Sequence, residues 1–384
     1  MSDSLIFLSS GCCLAWFYLL FFHHHFWRAD QRLKPPTQNL DAWPEVAVVV
    51  PARDEAKVIR KTLMSLTNQD YPGSFSIILV DDNSDDGTGE VARKVKGFAP
   101  VHIVSAPPLT DGWTGKLAAL RHGIAEASKQ MPDHQYLFLT DADIRHPHTA
   151  LRRLVTKSKI ENLDLTSLMA RLHCSSKWER LLIPAFIFFF QKLYPFPAVN
   201  DHKSQFAGAA GGVMLVRRKC LELVGGLETI KDAVIDDCTI AGLIKNNHGR
   251  IWLGLADDTY SIRPYRGISE IWDMVARTAF TQLNFKYLRL LVAVFGMLLI
   301  YLSGPLIFVF YFAHTGLTAA LLGLLSWLLM SFAYLPTILY QRMPIFWAAT
   351  LPIASLLYTC MTVDSAIRHL RNKGSGWKGR TYSF

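Results

Sequence analysis

The sequence predicts an α/β protein: a mostly parallel sheet with helices on both faces, flanked by N-terminal and C-terminal transmembrane helices. Three observations predict it. Strand-like and helix-like segments alternate between residues 46 and 140, the pattern of a parallel sheet covered on both sides. Residues 4–27, 290–341 and 343–363 contain no Asp, Glu, Lys or Arg. Three acid-rich turns follow or adjoin strand-like segments.

The uncharged runs are 24, 52 and 21 residues long. A bilayer core of about 30 Å needs about 20 helical residues. The runs therefore predict one span, two spans and one span. Of the 384 residues, 51% are hydrophobic and 18% are charged, against about 25% charged in a typical soluble protein. This composition excludes a disordered chain or a collagen-like fibre. The first run lacks a basic segment ahead of it, and Arg28, Arg32 and Lys34 follow it. This favours a retained anchor over a cleaved signal peptide. The same charges put the N-terminus outside and residue 28 onward in the cytoplasm. Three further crossings would leave the tail outside. Yet that tail carries Arg368, Arg371, Lys373, Lys378 and Arg380 with no acid, which calls for the inside. A re-entrant segment broken by Pro344 and Pro352 would reconcile the two. The expected divisions are an anchor at 4–27, a cytoplasmic catalytic domain at 28–287, membrane helices at 288–367 and a basic tail at 368–384.

His23, His24 and His25 close the first run. Consecutive side chains point around a helix, so a three-His metal site is poor geometry. The six cysteines form no CxxC pair, which argues against a zinc ribbon or a disulfide scaffold.

Residues 34–37 read as a short stiff linker. Residues 46–50 form a buried strand closed by Pro51. Val58, Ile59, Leu63 and Leu66 give residues 55–68 helical spacing. Residues 77–80 are a strand, 87–96 a helix, 101–104 a strand and 115–130 a helix. Residues 136–140 are a fourth strand. Ligands of such sheets bind at the carboxyl ends of the strands. There the sequence places Pro51, Arg53 and Glu55, then Asp81 and Asp82, then Asp141 and Asp143.

Asp141 and Asp143 are separated by one residue at a strand end and can project to one side. Two hard oxygen donors suit Mg2+ or Mn2+, which keep open positions for phosphate oxygens. The bland alternative is a turn or a helix cap. Asp81 and Asp82 can accept hydrogen bonds from a base edge or a ribose. Asp85, Asp86 and Gly87 read as turn and cap residues. Arg53 and Glu55 can flank the same nucleotide, while Asp54 suits an N-cap. Residues 111–116, Asp-Gly-Trp-Thr-Gly-Lys, lack the spacing of a P-loop. Lys116, at a helix start, remains a candidate diphosphate contact. Gly211 and Gly212 precede a strand-like run at 213–216. They permit either close approach to a sugar or a tight turn. Asp236 and Asp237 open a helix. They either complement its dipole or supply a general base.

Taken in order, PARDEA, VDDNSDDGT, GWTGK, TDAD, GAAGG and IDDCT resemble the family 2 inverting glycosyltransferases of the GT-A fold. The resemblance covers about residues 46–285. The flanking spans, GWTGK and residues 376–380 narrow it to the membrane branch that contains ceramide glucosyltransferases. The likeness is greatest to the bacterial hopanoid-associated enzymes. It implies a GT-A-type nucleotide-sugar-binding sheet in which Asp82 reads the base. Asp143, with Asp141 beside it, holds the metal and the sugar diphosphate, and Asp237 is the base. The family's Gln-x-x-Arg-Trp motif survives here only as Arg277, with Met274 and Thr278 in place of Gln and Trp. This departure argues against a processive polysaccharide synthase.

The expected function is metal-dependent, inverting transfer of a sugar, UDP-linked, to a membrane lipid hydroxyl such as a hopanoid or a sphingolipid-like acceptor. Asp237 acts as base, with Asp236 orienting or capping, and Lys116 and Arg277 add positive charge near the leaving group. The expected location is the inner cell membrane, with no nucleic-acid partner. Two rivals stand: transfer to a polyprenyl phosphate, and a noncatalytic nucleotide-binding membrane protein. Residues 181–199 are apolar, but Pro184, Pro195 and Pro197 interrupt them. They are expected along the cytoplasmic leaflet, with their aromatic side chains in the acyl boundary.

Overall fold

A computed structural model describes residues 2–35, 39–311, 317–371, 376–377 and 380–381. Residues 36 and 37 of the expected linker, and Lys373 and Lys378 of the tail, lie outside the described residues.

Eight strands form one sheet: β1 Val46–Ala52, β2 Phe75–Asp81, β3 Val101–Ser105, β4 Tyr136–Thr140, β5 Ile144–Arg145, β6 Leu165–Arg171, β7 Val213–Arg217 and β8 Ile251–Ser261. Their order is β3-β2-β1-β4-β7-β6-β8-β5. β7 and β5 oppose the direction of the other strands, so the sheet is mostly parallel. β1 is Val-rich and buried along its whole length, as a strand covered on both faces must be. Ala47 and Val49 pack on one face with Leu117 and Leu120 of the helix Gly115–Gln130. Val46, Val48 and Val50 pack on the other with Ile59 and Leu63 of the helix Ile59–Thr67.

β1 continues two residues past its expected end. The β1–β2 ladder runs to Ala52 opposite Asp81, whereas the β1–β4 ladder stops at Val49 opposite Leu139. Pro51 falls in this gap and has no N–H to donate. The sheet therefore opens between β1 and β4, where strand order reverses direction from β1. β5, β6 and β8 were not anticipated. β8 contains Gly254, Asp257 and Asp258, which break the apolar run by which a strand is recognised.

Among the described residues, four helical segments are long and apolar enough to cross a membrane: Asp3–Phe21, Tyr287–Phe310, Leu317–Tyr340 and Ile345–Leu370. An ideal Cβ on Gly323 would lie 2.6 Å from the Gly304 carbonyl oxygen, so two of these helices meet backbone to backbone. Both ends of the last segment touch the sheet-bearing domain. Just before it, Tyr340 Oη donates to the Ala256 carbonyl of β8 (2.7 Å) and Met343 Sδ lies 3.4 Å from Cys174 Sγ. Near its far end, Arg368 reaches Asp273 at 2.7 Å and Trp272 Nε1 donates to Asp364 at 2.8 Å. Pro344 precedes its opening 3-10 turn, and Pro352 sits in the first turn of the helix Leu351–Leu370.

The helix Lys177–Leu193 joins the two parts. Ser176 and Glu179 form a capping box at its start. Of its aromatic side chains Phe188 is buried, Phe186, Phe189 and Phe190 are half-buried, and Trp178 near the start is exposed. The Phe188 ring packs 5.3 Å from Phe26 and 5.2 Å from Tyr334, and Phe189 meets Tyr358 at 5.0 Å. Those partners come from distant stretches of the chain, so the local sequence could not announce them. The three imidazoles diverge: His23 meets the Lys192 carbonyl, His24 the Phe206 ring and His25 the Leu20 carbonyl.

Candidate active site

Three groups of side chains converge at the strand ends. The first surrounds Lys116, the second residue of its helix. Its ammonium lies 3.2 Å from Asp141 Oδ1 and 3.2 Å from Asp236 Oδ2. Because β7 runs antiparallel to β4, Val213 pairs with Thr140. This brings the glycines before β7 against the Asp141 turn, where Thr140 Oγ1 donates to the Gly212 carbonyl at 2.7 Å. Asp237 accepts from Gly211 N and from its neighbour Cys238 N, each at 2.7 Å. A Cβ on Gly211 would stand 3.0 Å from Lys116 Nζ and 3.2 Å from Asp237 Oδ2, so glycine lets the backbone approach both. Burial, then the Asp236 carboxylate, pushes Asp237 up to about 6, against the pull of Lys116 and the two N–H bonds. Burial would lower Lys116, but Asp141, Asp236 and Asp237 hold it above the usual lysine range. Burial also raises Asp141, opposed by Lys116.

The second group surrounds Asp143. Thr62 Oγ1 fixes the turn by donating to the Ala142 carbonyl at 2.8 Å. The β5–β8 pairing draws the end of β8 alongside, and Ile262 N donates to the Asp143 carbonyl at 2.9 Å. Arg263 Nε then donates to Asp143 Oδ2 at 3.0 Å, and Ser261 Oγ reaches the same oxygen at 3.2 Å. The other end of the guanidinium pairs with Glu55, which is buried. Arg263 and Ser261 were not among the expected site residues. The signal was hidden because β8 itself was not recognised.

The third group is a cleft of about 290 Å³ whose lining includes Asp82, Pro107, Pro108, Trp113 and Arg121. Arg53 Nη1 donates to the Asp82 carbonyl at 2.6 Å and lies 3.8 Å from its carboxylate. Arg121 stacks 4.9 Å over the Trp113 ring. An apolar slot with one buried carboxylate suits a planar ring with polar edges. Trp113 belongs to the GWTGK motif, whose sequence does not by itself reveal that the ring lines this cleft.

Pro51, Lys116, Asp141, Gly211 and Asp236 line one narrow crevice. Asp81 serves its own turn, accepting from Ser84 N at 3.1 Å. Asp54 accepts from Asp85 N at 3.0 Å and so ties two strand-end loops together. Arg277 is exposed at the end of the helix Ile268–Ala276. Nearby, burial and Asp143 push the Tyr265 phenol up to about 12, against the Arg263 and Arg277 charges. No group of three or more His, Cys, Asp or Glu side chains forms a metal cluster among the described residues. The chemistry of the Asp141/Asp143 pair nevertheless fits a hard divalent ion. It offers two carboxylates, and both bonds recorded to the Asp143 carboxylate fall on Oδ2.

Residues 47–225 match the family described as Glycosyl transferase family 2; the chain carries such a domain on a GT-A-like fold. The chain is 37% identical over 93 residues to the probable glycosyltransferase YdaM of Bacillus subtilis, covering 24% of this chain and 22% of that protein. It is 32% identical over 127 residues to the beta-monoglucosyldiacylglycerol synthase of Synechocystis, covering 32% of this chain and 25% of that protein. The chain thus spans about a quarter of the length of these relatives. Among solved structures, the mannosyltransferase PcManGT from Pyrobaculum calidifontis, in complex with GDP-Man and Mn2+, superposes with a TM-score of 0.61 at 18% identity, covering 97% of this chain and 100% of that one. This likeness establishes the fold.

Proposed function

We propose that the protein is a membrane-bound inverting glycosyltransferase that moves a sugar from a UDP-sugar to the hydroxyl of a membrane lipid, of the hopanoid or sphingolipid-like class. The observation that carries this reading is Asp237. Its carboxylate, with proton affinity raised to about 6, is pinned by the Gly211 N–H beside a lysine that faces the strand-end acids. A base should titrate near its working pH. The names of two similar proteins agree with the reading: one is a diacylglycerol glucoside synthase, the other a mannosyltransferase with a nucleotide sugar and Mn2+.

In the proposed reaction, the nucleoside occupies the Asp82–Trp113 cleft and the diphosphate reaches Lys116 at its helix N-terminus. Asp236 steadies Lys116. Asp237 takes the proton of the acceptor hydroxyl as that oxygen bonds to the anomeric carbon. The bond from that carbon to the diphosphate oxygen breaks, its electron pair leaves with the nucleoside diphosphate, and the configuration inverts. Gly211 and Gly212 keep the backbone close to the sugar. Asp141 and Asp143 would hold Mg2+ or Mn2+, which when bound neutralises charge on the leaving diphosphate.

The domain, residues 28–287, lies on the cytoplasmic face of the inner membrane. The helix Lys177–Leu193 sits near that surface, and residues 345–370 form a re-entrant segment. The decisive experiment incubates membranes carrying the protein with labelled nucleotide sugars and Mn2+ or Mg2+, followed by mass spectrometry of extracted lipids. A new neutral glycolipid supports the reading. A labelled polyprenyl phosphate shifts the acceptor class, and no transfer from any donor overturns it.

A further inference from the structure

Each acid of the Asp141/Asp143 turn has a cation of the chain's own. Lys116 lies against Asp141, and Arg263 lies against Asp143. The Arg263 pairing has features that a structural ion pair does not need. The Arg263 side chain is 37% exposed, open to an incoming anion. It is held from two directions, by Asp143 and by the buried Glu55. Its position is fixed through the β5–β8 ladder and the Ser261 hydroxyl, which shares Asp143 Oδ2.

We propose that Arg263 is a positioning residue that couples cation binding to donor binding: it compensates Asp143 while the site is free and turns to the donor diphosphate when donor and cation enter. This inference rests on the glycosyltransferase reading above. A guanidinium cannot shed its charge, so a divalent ion approaching Asp143 meets a fixed positive neighbour. That conflict can be relieved by an incoming anion. A diphosphate supplies the missing negative charge, and its oxygens match the guanidinium fork. Glu55 would hold the Arg263 side chain close by during the exchange, limiting how far it travels. By linkage, if the nucleotide strengthens cation binding, the cation strengthens nucleotide binding by the same factor.

The test titrates Mn2+ into the full-length protein in detergent, read by the loss of the free-ion electron paramagnetic resonance signal, with and without UDP. Wild type should bind Mn2+ weakly alone and about 5- to 150-fold more tightly with UDP, the usual range for such coupling. Arg263→Met should bind Mn2+ more tightly than wild type in the absence of UDP, and UDP should add little. Arg263→Lys keeps the charge but loses the fork, and it should fall between the two. Thermal unfolding and UDP binding without metal verify that the variants are folded; if Arg263→Met is not, Arg263→Lys decides. Unchanged or weaker Mn2+ binding by Arg263→Met alone overturns the proposal, as does coupling in Arg263→Lys equal to that of wild type. Wild type that binds both ligands independently overturns this inference and leaves the glycosyltransferase reading standing. Wild type that binds neither removes both.

Discussion

The Gly211 N–H donates to Asp237 Oδ2 at 2.7 Å, across 26 residues of chain. A Cβ there would stand 3.0 Å from Lys116 Nζ and 3.2 Å from Asp237 Oδ2, so alanine would push these side chains by a few tenths of an ångström. Gly211→Ala should therefore fold and insert normally yet displace the base. A displacement of about 1 Å can cost about 10²-fold in rate, so this smaller shift should cost less. Transfer kinetics on purified protein check this; wild-type rates would mean that Asp237 does not depend on the approach.

Asp237→Asn removes the proton acceptor at almost constant volume. Loss of general-base help should lower turnover about 10²–10⁴-fold, with UDP affinity nearly unchanged. The wild-type rate should fall as pH drops through about 6, because Asp237 must be ionised to act. Lys116 lowers that value, so Lys116→Met should move the acid limb to higher pH. A limb that stays put, or a dead Asp236→Asn beside an active Asp237→Asn, would identify another carboxylate as the base.

Asp143→Asn should abolish transfer while leaving thermal stability near wild type, since the carboxylate lies at a strand end outside the core. Chelation of wild type should do the same, reversed by Mn2+ or Mg2+. Full activity in excess chelator would end the metal role.

Glu179 serves structure. It accepts from Ser176 N at 2.8 Å and Ser175 N at 3.1 Å, and from Tyr265 N at 2.8 Å just beyond Arg263. Burial would raise it, but these bonds and His173 hold it at about 2. Its contribution is thus present above the ordinary glutamate value of about 4.3 and is lost as pH falls toward about 2. Glu179→Ala leaves three part-buried N–H groups without this acceptor, at a cost below the about 1–3 kcal/mol each that full burial would bring, and should lower the melting temperature. An unchanged melting curve at neutral pH would refute this.

The Rossmann-like half of the sheet was legible because its strands are short apolar runs between helices of clear period. The helix Gly115–Gln130 and strand Tyr136–Thr140 match their expected bounds. Asp141 was nameable at a strand end, Lys116 at a helix start and Gly211 just before a strand, because each motif coincides with an element boundary. The far half was not. β6 and β8 lie beside each other although about 85 residues separate paired positions such as Leu165 and Ile251. Arg263 reaches Asp143 only through that non-local pairing. Asp81 and Asp82 are adjacent in sequence, yet alternation along the strand end sends one into its turn and the other to the cleft.

Both flanks of residues 345–370 meet the sheet-bearing domain, at Ala256 and Cys174 on one side and at Trp272 and Asp273 on the other. If this segment dips into the bilayer and returns, the chain makes three complete crossings rather than four. An odd number places the N-terminus and the basic tail on opposite faces, with the tail beside the sheet. The charge asymmetry around the first anchor and that of the tail then ask for the same orientation. Single-cysteine labelling should show Asn200→Cys and Arg371→Cys reacting from one side, with Ser2→Cys reacting from the other; Arg371→Cys reacting with Ser2→Cys would restore the even count. With odd parity, Arg368, which bridges Asp364 and Asp273, and Arg371 lie on the same side of the membrane as the Asp82–Trp113 cleft.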